Sequence, residues 1–239
     1  MSNELDVRSA GRRWTFTLNR PEKLNALNGT LVDELLQAVE QAHAQGARLL
    51  VFRGAGKSFS AGFDLSDLEA QSEGDLVLRF VRIEMLLQAV AQSPAQTLGL
   101  AHGKVFGAGV DLFAVCRQRV AAPDAVFRMP GLKFGLVLGT RRFGRIVGNA
   151  VARSVLEEVG SFDAQRASDM GFVNRIAAPE QWDGLVAEAE AKADVLDDAT
   201  RGALYRVLGE DEPDADLASL VRSAARFGLK DRLRRYLGK

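Results

Sequence analysis

VFRGAGKSFSAGFDL, residues 51–65, and HGKVFGAGVD, residues 102–111, are the two stretches on which the reading of this chain turns. The first continues from a run read as a buried strand, Arg48 to Arg53 (RLLVFR), and the second from another, Gln96 to Ala101. Both pass through small residues, Ser60-Ala61-Gly62 and Gly107-Ala108-Gly109, into helical sequence. Small residues at such a junction let a ligand approach the main chain closely. The first amides of a helix have no intrahelical partner, point outward, and favour negative charge. Two such segments facing each other give two donors for one oxygen, an oxyanion hole. Asp111 lies three residues after Ala108, so both share a helix face about one turn apart. A carboxylate there can reach the carbon next to a bound carbonyl. Taken singly, each stretch fits tight helix–strand packing better.

Outward from these segments, helix and strand alternate. Trp14 to Leu18 is β-prone and stops at Asn19-Arg20-Pro21. Leu31, Leu35, Val39 and Ala42 recur at helical spacing until Gly46, and Thr30 with Asp33 has the spacing of a capping box. A further helix is predicted from about Asp75 to Gln92, ahead of Pro94. Val110 to Cys116 reads as helix and Arg119 to Ala122 as strand; from about Arg141 the pattern is almost wholly helical. The expectation is an α/β protein of stacked βα units over residues 1–180, followed by a helical region over 181–239.

Composition excludes several functions. Lys plus Arg and Asp plus Glu each total 31 in 239 residues, so the basic excess of a phosphate-neutralising nucleic-acid binder is missing. One cysteine, Cys116, leaves no internal disulfide framework and fits a reducing compartment. The N-terminal residues show no apolar secretory segment, and no apolar run approaches the roughly 20 residues of a membrane helix. A soluble, cytoplasmic protein is expected. Gly56-Lys57-Ser58 resembles a phosphate loop, but Val51 stands where that motif needs its first glycine. No G-x-G-x-x-G follows a strand and no G-x-S-x-G elbow exists. The two histidines, His43 and His102, are far apart, which disfavours metal ligation, and His102 is expected to make a structural hydrogen bond. Between Ala125 and Leu156 there are basic residues and no acids; either a phosphate-bearing ligand or surface arginines such as Arg141 and Arg142 explain this. The basic tail from Arg226 to Lys239 reads as a solvated face, with an anionic ligand or a neighbouring subunit as the alternative.

Four collinear motifs carry a resemblance. They are Asn19-Arg20-Pro21-Glu22-Lys23-Leu24-Asn25-Ala26-Leu27, residues 51–65, residues 102–109, and Phe162 to Ala167 with Met170 to Arg175. Together the chain resembles the crotonase superfamily, the enoyl-CoA hydratase/isomerase family, from about residue 10 to 180. The resemblance implies a spiral of ββα turns with C-terminal helices at trimer contacts, as a homotrimer or a dimer of trimers. It implies an acyl-CoA or enoyl-CoA substrate, with coenzyme A as part of the substrate and no separate cofactor or metal. The amides of Phe63 and Ala108 would form the oxyanion hole. Leu24, Ala26, Ala61, Gly62, Asp64, Leu65, Phe106, Gly107, Pro130 and Gly131 would bind substrate, and Phe227 with the basic tail is a further candidate. Family hydratases share a water between two glutamates; here those positions hold Asp111 and Gly131. With one carboxylate, an isomerase-like proton transfer by Asp111 is favoured over hydration. Hydrolysis, decarboxylation, or thioester binding with little activity are the alternatives.

Overall fold

Leu49, Leu50, Val51 and Phe52 are buried without a break, as in a strand covered on both faces by helices. In the computed structural model, which describes residues 3–209 and 212–238, they belong to β3 (Leu49–Gly54). Its sheet has the order β1 (Leu5–Ala10), β2 (Arg13–Leu18), β3, β5 (Gln96–Ala101), β7 (Gln118–Ala121), β10 (Arg175–Ile176). β1 is antiparallel to β2, and every other pairing in this sheet is parallel. A second sheet runs β4 (Ser58–Ser60), β6 (Lys104–Phe106), β8 (Val126–Arg128), β9 (Ser161–Asp163), parallel except for β9. Each turn of chain gives a strand to the first sheet, a short strand to the second, and then a helix. β3 and β4 lead to α2 (Glu73–Ala91), β5 and β6 to α3 (Ala108–Ala114), and β7 and β8 to α4 (Thr140–Val147). This is a ββα spiral, as the resemblance implies.

The remaining helices are α1 (Gly29–Ala44), α5 (Asn149–Glu158), α6 (Ala164–Asp169), α7 (Trp182–Asp194), α8 (Asp198–Leu208), α9 (Pro213–Ala224) and α10 (Leu229–Tyr236). Phe113 on α3 anchors the main core, its ring 6.0 Å from Phe59 and 5.7 Å from both Phe127 and Phe172. That packing fixes α3, all of whose residues are buried. On the other face of the first sheet, Val51, Leu98 and Leu100 meet Trp182, Leu185 and Ala189 of α7. A third cluster joins Phe80 and Phe134 to Leu220 of α9 and Leu233 of α10. The helical region after residue 180 therefore packs directly on the spiral. No described helix is long and apolar enough to cross a membrane.

Some local expectations change. β1 and β4 are strands that the sequence reading did not predict, and β9 interrupts the helical stretch. The cap of α1 is Asn28, whose side chain accepts from the Leu31 N–H at 2.9 Å; Asp33 pairs instead with Arg82 at 2.7 Å. The turn before α1 depends on Asn25. Leu24 and Asn25 have consecutive left-handed conformations, φ 51° and 55°, which asparagine tolerates better than most residues. The buried Asn25 carboxamide accepts from the Arg20 N–H (2.9 Å) and donates to the Ala55 and Ser58 carbonyls (2.8 and 2.7 Å). Asn25→Ala leaves two buried groups, the Arg20 N–H and the Ser58 carbonyl, and the part-buried Ala55 carbonyl without this partner, each buried one costing about 1–3 kcal/mol. The urea midpoint should fall by the equivalent of about 3 kcal/mol or more, with an unchanged m-value.

Candidate active site

The site begins where β4 ends. Gly62 turns the chain at φ 83°, and a Cβ there would lie 2.3 Å from the Phe106 carbonyl oxygen and 3.1 Å from the Ala108 nitrogen. Glycine is thus required for the two signature segments to meet. Leu27 donates to the Gly62 carbonyl at 2.7 Å and accepts from the Asp64 N–H at 3.1 Å. Phe63 sits opposite Leu27 in this parallel bridge, so its own N–H points away from Leu27. That N–H has no acceptor among the described residues. The Phe63 ring is stacked on Phe80, centroids 4.1 Å apart, with the Arg79 guanidinium 4.1 Å from it. Arg79 also donates to the Asp64 carbonyl at 2.8 Å, so both side chain and backbone are clamped.

Ala108 is the first residue of α3. The Val110 and Asp111 N–H groups turn back to the Gly107 carbonyl at 2.8 and 3.2 Å, which leaves the Ala108 amide without an acceptor among the described residues. Ala61, Phe63, Leu65, Phe106, Gly107, Ala108, Asp111, Pro130 and Gly131 all line one cavity, about 830 Å³ including its open mouth. Leu24, Ala26, Gly62 and Asp64 stand outside that lining. The Leu24 carbonyl accepts from the Ala61 N–H at 2.8 Å, tying this loop to the cavity wall. Asp64 is buried against Arg20 at 2.8 Å and accepts from Ser66. Burial raises its carboxyl, but the Ser66 and Arg20 hydrogen bonds outweigh that and hold it below the ordinary range. Its role here is to fasten β4 to the Arg20 turn.

Asp111 is the only carboxylate among the described lining residues; the other walls are mainly apolar. It is 4% exposed, and its Oδ1 receives no hydrogen bond among the described residues. Burial pushes its carboxyl well above the ordinary range, with Arg142 pulling it down and Glu84 pushing it up. A Cβ on Gly139 (φ 63°) would fall 1.9 Å from Oδ1, so glycine makes room for the carboxyl. Gly131 lines the same cavity and carries no side chain.

Sequence reasoning missed the far wall. Leu233 and Tyr236 of α10 close the cavity with Phe134 and Leu136; the only signal was the i, i+4 pair Leu229 and Leu233 in an otherwise basic tail. Within that tail, Lys230 donates to the Glu69 carbonyl and Arg232 to the Phe134 carbonyl, both at 2.8 Å, while Phe227 is fully exposed and outside the lining. Lys239 lies outside the described residues. Arg142, for which the sequence left a phosphate-bearing ligand or a surface position open, is 5% exposed and pairs with Glu84. His102 Nε2 donates to the Gly56 carbonyl at 2.9 Å. No group of three or more His, Cys, Asp or Glu residues among the described ones is placed to hold a metal ion.

The model of the enoyl-CoA hydratase/isomerase family matches residues 14–204. The chain belongs to that family. A "Probable enoyl-CoA hydratase" of Mycobacterium tuberculosis is 39% identical over 183 residues, 75% of this chain and 70% of the relative. The mitochondrial Delta(3,5)-Delta(2,4)-dienoyl-CoA isomerase of Rattus norvegicus is 32% identical over 179 residues, 66% of this chain and 54% of that protein. A crystal structure assigned to this family, from Bordetella parapertussis, is 57% identical, covers 100% of both chains and has a TM-score of 0.98. The ββα spiral with its C-terminal helices is thus the crotonase fold, and this chain is an enzyme of that family.

Two predictions follow from the site's electrostatics and packing. The Asp111 pKa in the folded chain lies above the unfolded value of about 3.9. Folding then retains a proton that the unfolded chain loses, so stability falls as pH rises from about 4 to the folded-state value. Asp111→Asn removes that loss: the variant should melt above wild type at pH 7–8, with the gap closing toward pH 4. Gly62→Val should drive the signature segments apart and weaken acyl-CoA binding at least tenfold by calorimetry.

Proposed function

We propose that this enzyme processes an acyl-CoA thioester by proton transfer, with the Phe63 and Ala108 amides binding the thioester oxygen and Asp111 as acid and base. The observation that carries this reading is a lone buried carboxylate one helical turn from Ala108, in an apolar cavity with Gly131 across the lining. Removing a proton beside the thioester moves the C–H electron pair toward the carbonyl oxygen, and two amide donors offset that charge. One such donor is typically worth about 2.7–4 kcal/mol. The proton moves to Asp111 and returns to a different carbon, which shifts the double bond. Isomerisation needs one group that accepts and returns a proton, whereas hydration must also orient a water. The reading requires no cofactor beyond the coenzyme A of the substrate. The dienoyl-CoA isomerase among the relatives supports it.

Assembly as a homotrimer or a dimer of trimers belongs to the same proposal. Val207 is 83% and Phe227 100% exposed in the C-terminal helical region, apolar surface that subunit contacts would cover. The cytoplasm is the proposed compartment, on the single buried Cys116.

The test is turnover of a panel of 3-enoyl-CoA and 2-enoyl-CoA substrates. Wild type should shift the double bond faster than it adds water, and Asp111→Asn should lower kcat by about 10²–10⁴. Equal turnover by the two proteins would remove Asp111 from the chemistry and favour a thioester-binding role.

A further inference from the structure

Behind Asp111 lies an ion pair that no signature segment contains. Arg142 on α4 meets Glu84 on α2 through two hydrogen bonds, Nη1 to Oε2 at 3.0 Å and Nη2 to Oε1 at 2.7 Å. Glu84 is 1% and Arg142 5% exposed. Gln88 donates to Glu84 Oε1 at 2.9 Å, and Asp216 on α9 stands 3.3 Å from Arg142. A buried pair of this kind is weak evidence of stabilisation, because taking both charges out of water costs about as much as their attraction returns. A role other than stability is therefore worth seeking, and the position of the pair supplies one. Gly139, immediately before α4, backs onto the Asp111 carboxyl. Arg142 follows three residues later, a buried cation on the helix whose first turn begins against an acid that lines the cavity.

We infer that Glu84 and Arg142 are positioning residues that act as a pair on the Asp111 carboxyl, Glu84 offsetting the cation that Arg142 presents to it. This rests on the proposed proton transfer only for its purpose, since the charge balance exists without substrate. Arg142 alone would favour the ionised carboxylate and make it a weaker base toward a C–H proton. Glu84 alone would keep the acid neutral and unable to start the reaction. The pair leaves it between those limits. Among the described residues, the charged side chains that act on Asp111 are these two, with Asp216 beyond Arg142. Arg128, from β8, shares the cavity lining.

The experiment is a carbon-13 NMR titration of the Asp111 carboxyl, run beside a pH profile of kcat/KM. Glu84→Gln keeps the shape and its hydrogen-bonding oxygen but removes the negative charge. The Asp111 midpoint should fall by about one pH unit or more, and the rising limb of kcat/KM should move to lower pH with it. Arg142→Met should move the midpoint the other way, and Arg142→Lys should largely restore it. An unmoved midpoint in folded Glu84→Gln would overturn the inference, whatever its activity. So would a fall in Arg142→Met. A midpoint that moves as expected while wild type turns over no acyl-CoA would uphold the charge balance and sink the proposed reaction instead.

Discussion

The structure of this site depends on one close approach. Gly62 lies against the Phe106 carbonyl and the Ala108 nitrogen, at distances that leave no room for a side chain. That approach brings together two segments from successive turns of the spiral, Gly62 lying 44 residues before Phe106 and 46 before Ala108. Each arrives with one amide unbonded, for a different reason. At Phe63 the parallel bridge to Leu27 turns the N–H outward; at Ala108 the start of α3 leaves it without a carbonyl. Neither donor depends on the identity of its own side chain, so the proposed hole rests on backbone geometry alone. The group placed beside it is Asp111, in a cavity with no second carboxylate among its described lining residues.

The surroundings hold that geometry from three sides. Phe113 locks α3 into the aromatic core, Arg79 and Phe80 clamp Phe63, and Asn25 with Asp64 ties the Arg20 turn to β4. Asp64 and Asp111 show how environment separates two acids of the same type. The first is hydrogen-bonded by Arg20 and Ser66 and held low; the second has an unbonded oxygen in an apolar wall and is pushed high. A high-lying acid suits proton exchange with carbon, since its carboxylate is a stronger base toward a C–H proton than an ordinary aspartate.

Much of this was legible in the sequence because two small-residue stretches, each explicable singly by tight packing, recur together after buried strands. The run RLLVFR, the segments around Gly62 and Ala108, and the one-turn spacing to Asp111 led directly to β3, β5, α3 and the cavity. The rest was hidden for physical reasons. β1 is mostly exposed, so it lacks an apolar period. β4, β6, β8 and β9 have three residues each, too short for any pattern. Arg142 reads as a surface residue because its partner Glu84 lies 58 positions away, on α2. The cavity-facing side of α10 was masked by its own charge, since Leu233 and Tyr236 line the cavity, and Leu229 enters the core, from an otherwise basic helix.

The central claim is that two backbone amides grip a thioester oxygen, and the carbonyl itself can report it. The vibrational frequency of a carbon-13-labelled thioester carbonyl should be measured on an unreactive saturated acyl-CoA, free and bound. Two strong donors lengthen the C=O bond, so the bound band should fall below its solution frequency, equally in wild type and Asp111→Asn. A bound carbonyl that keeps its solution frequency, or a shift that vanishes with Asp111, would contradict the account.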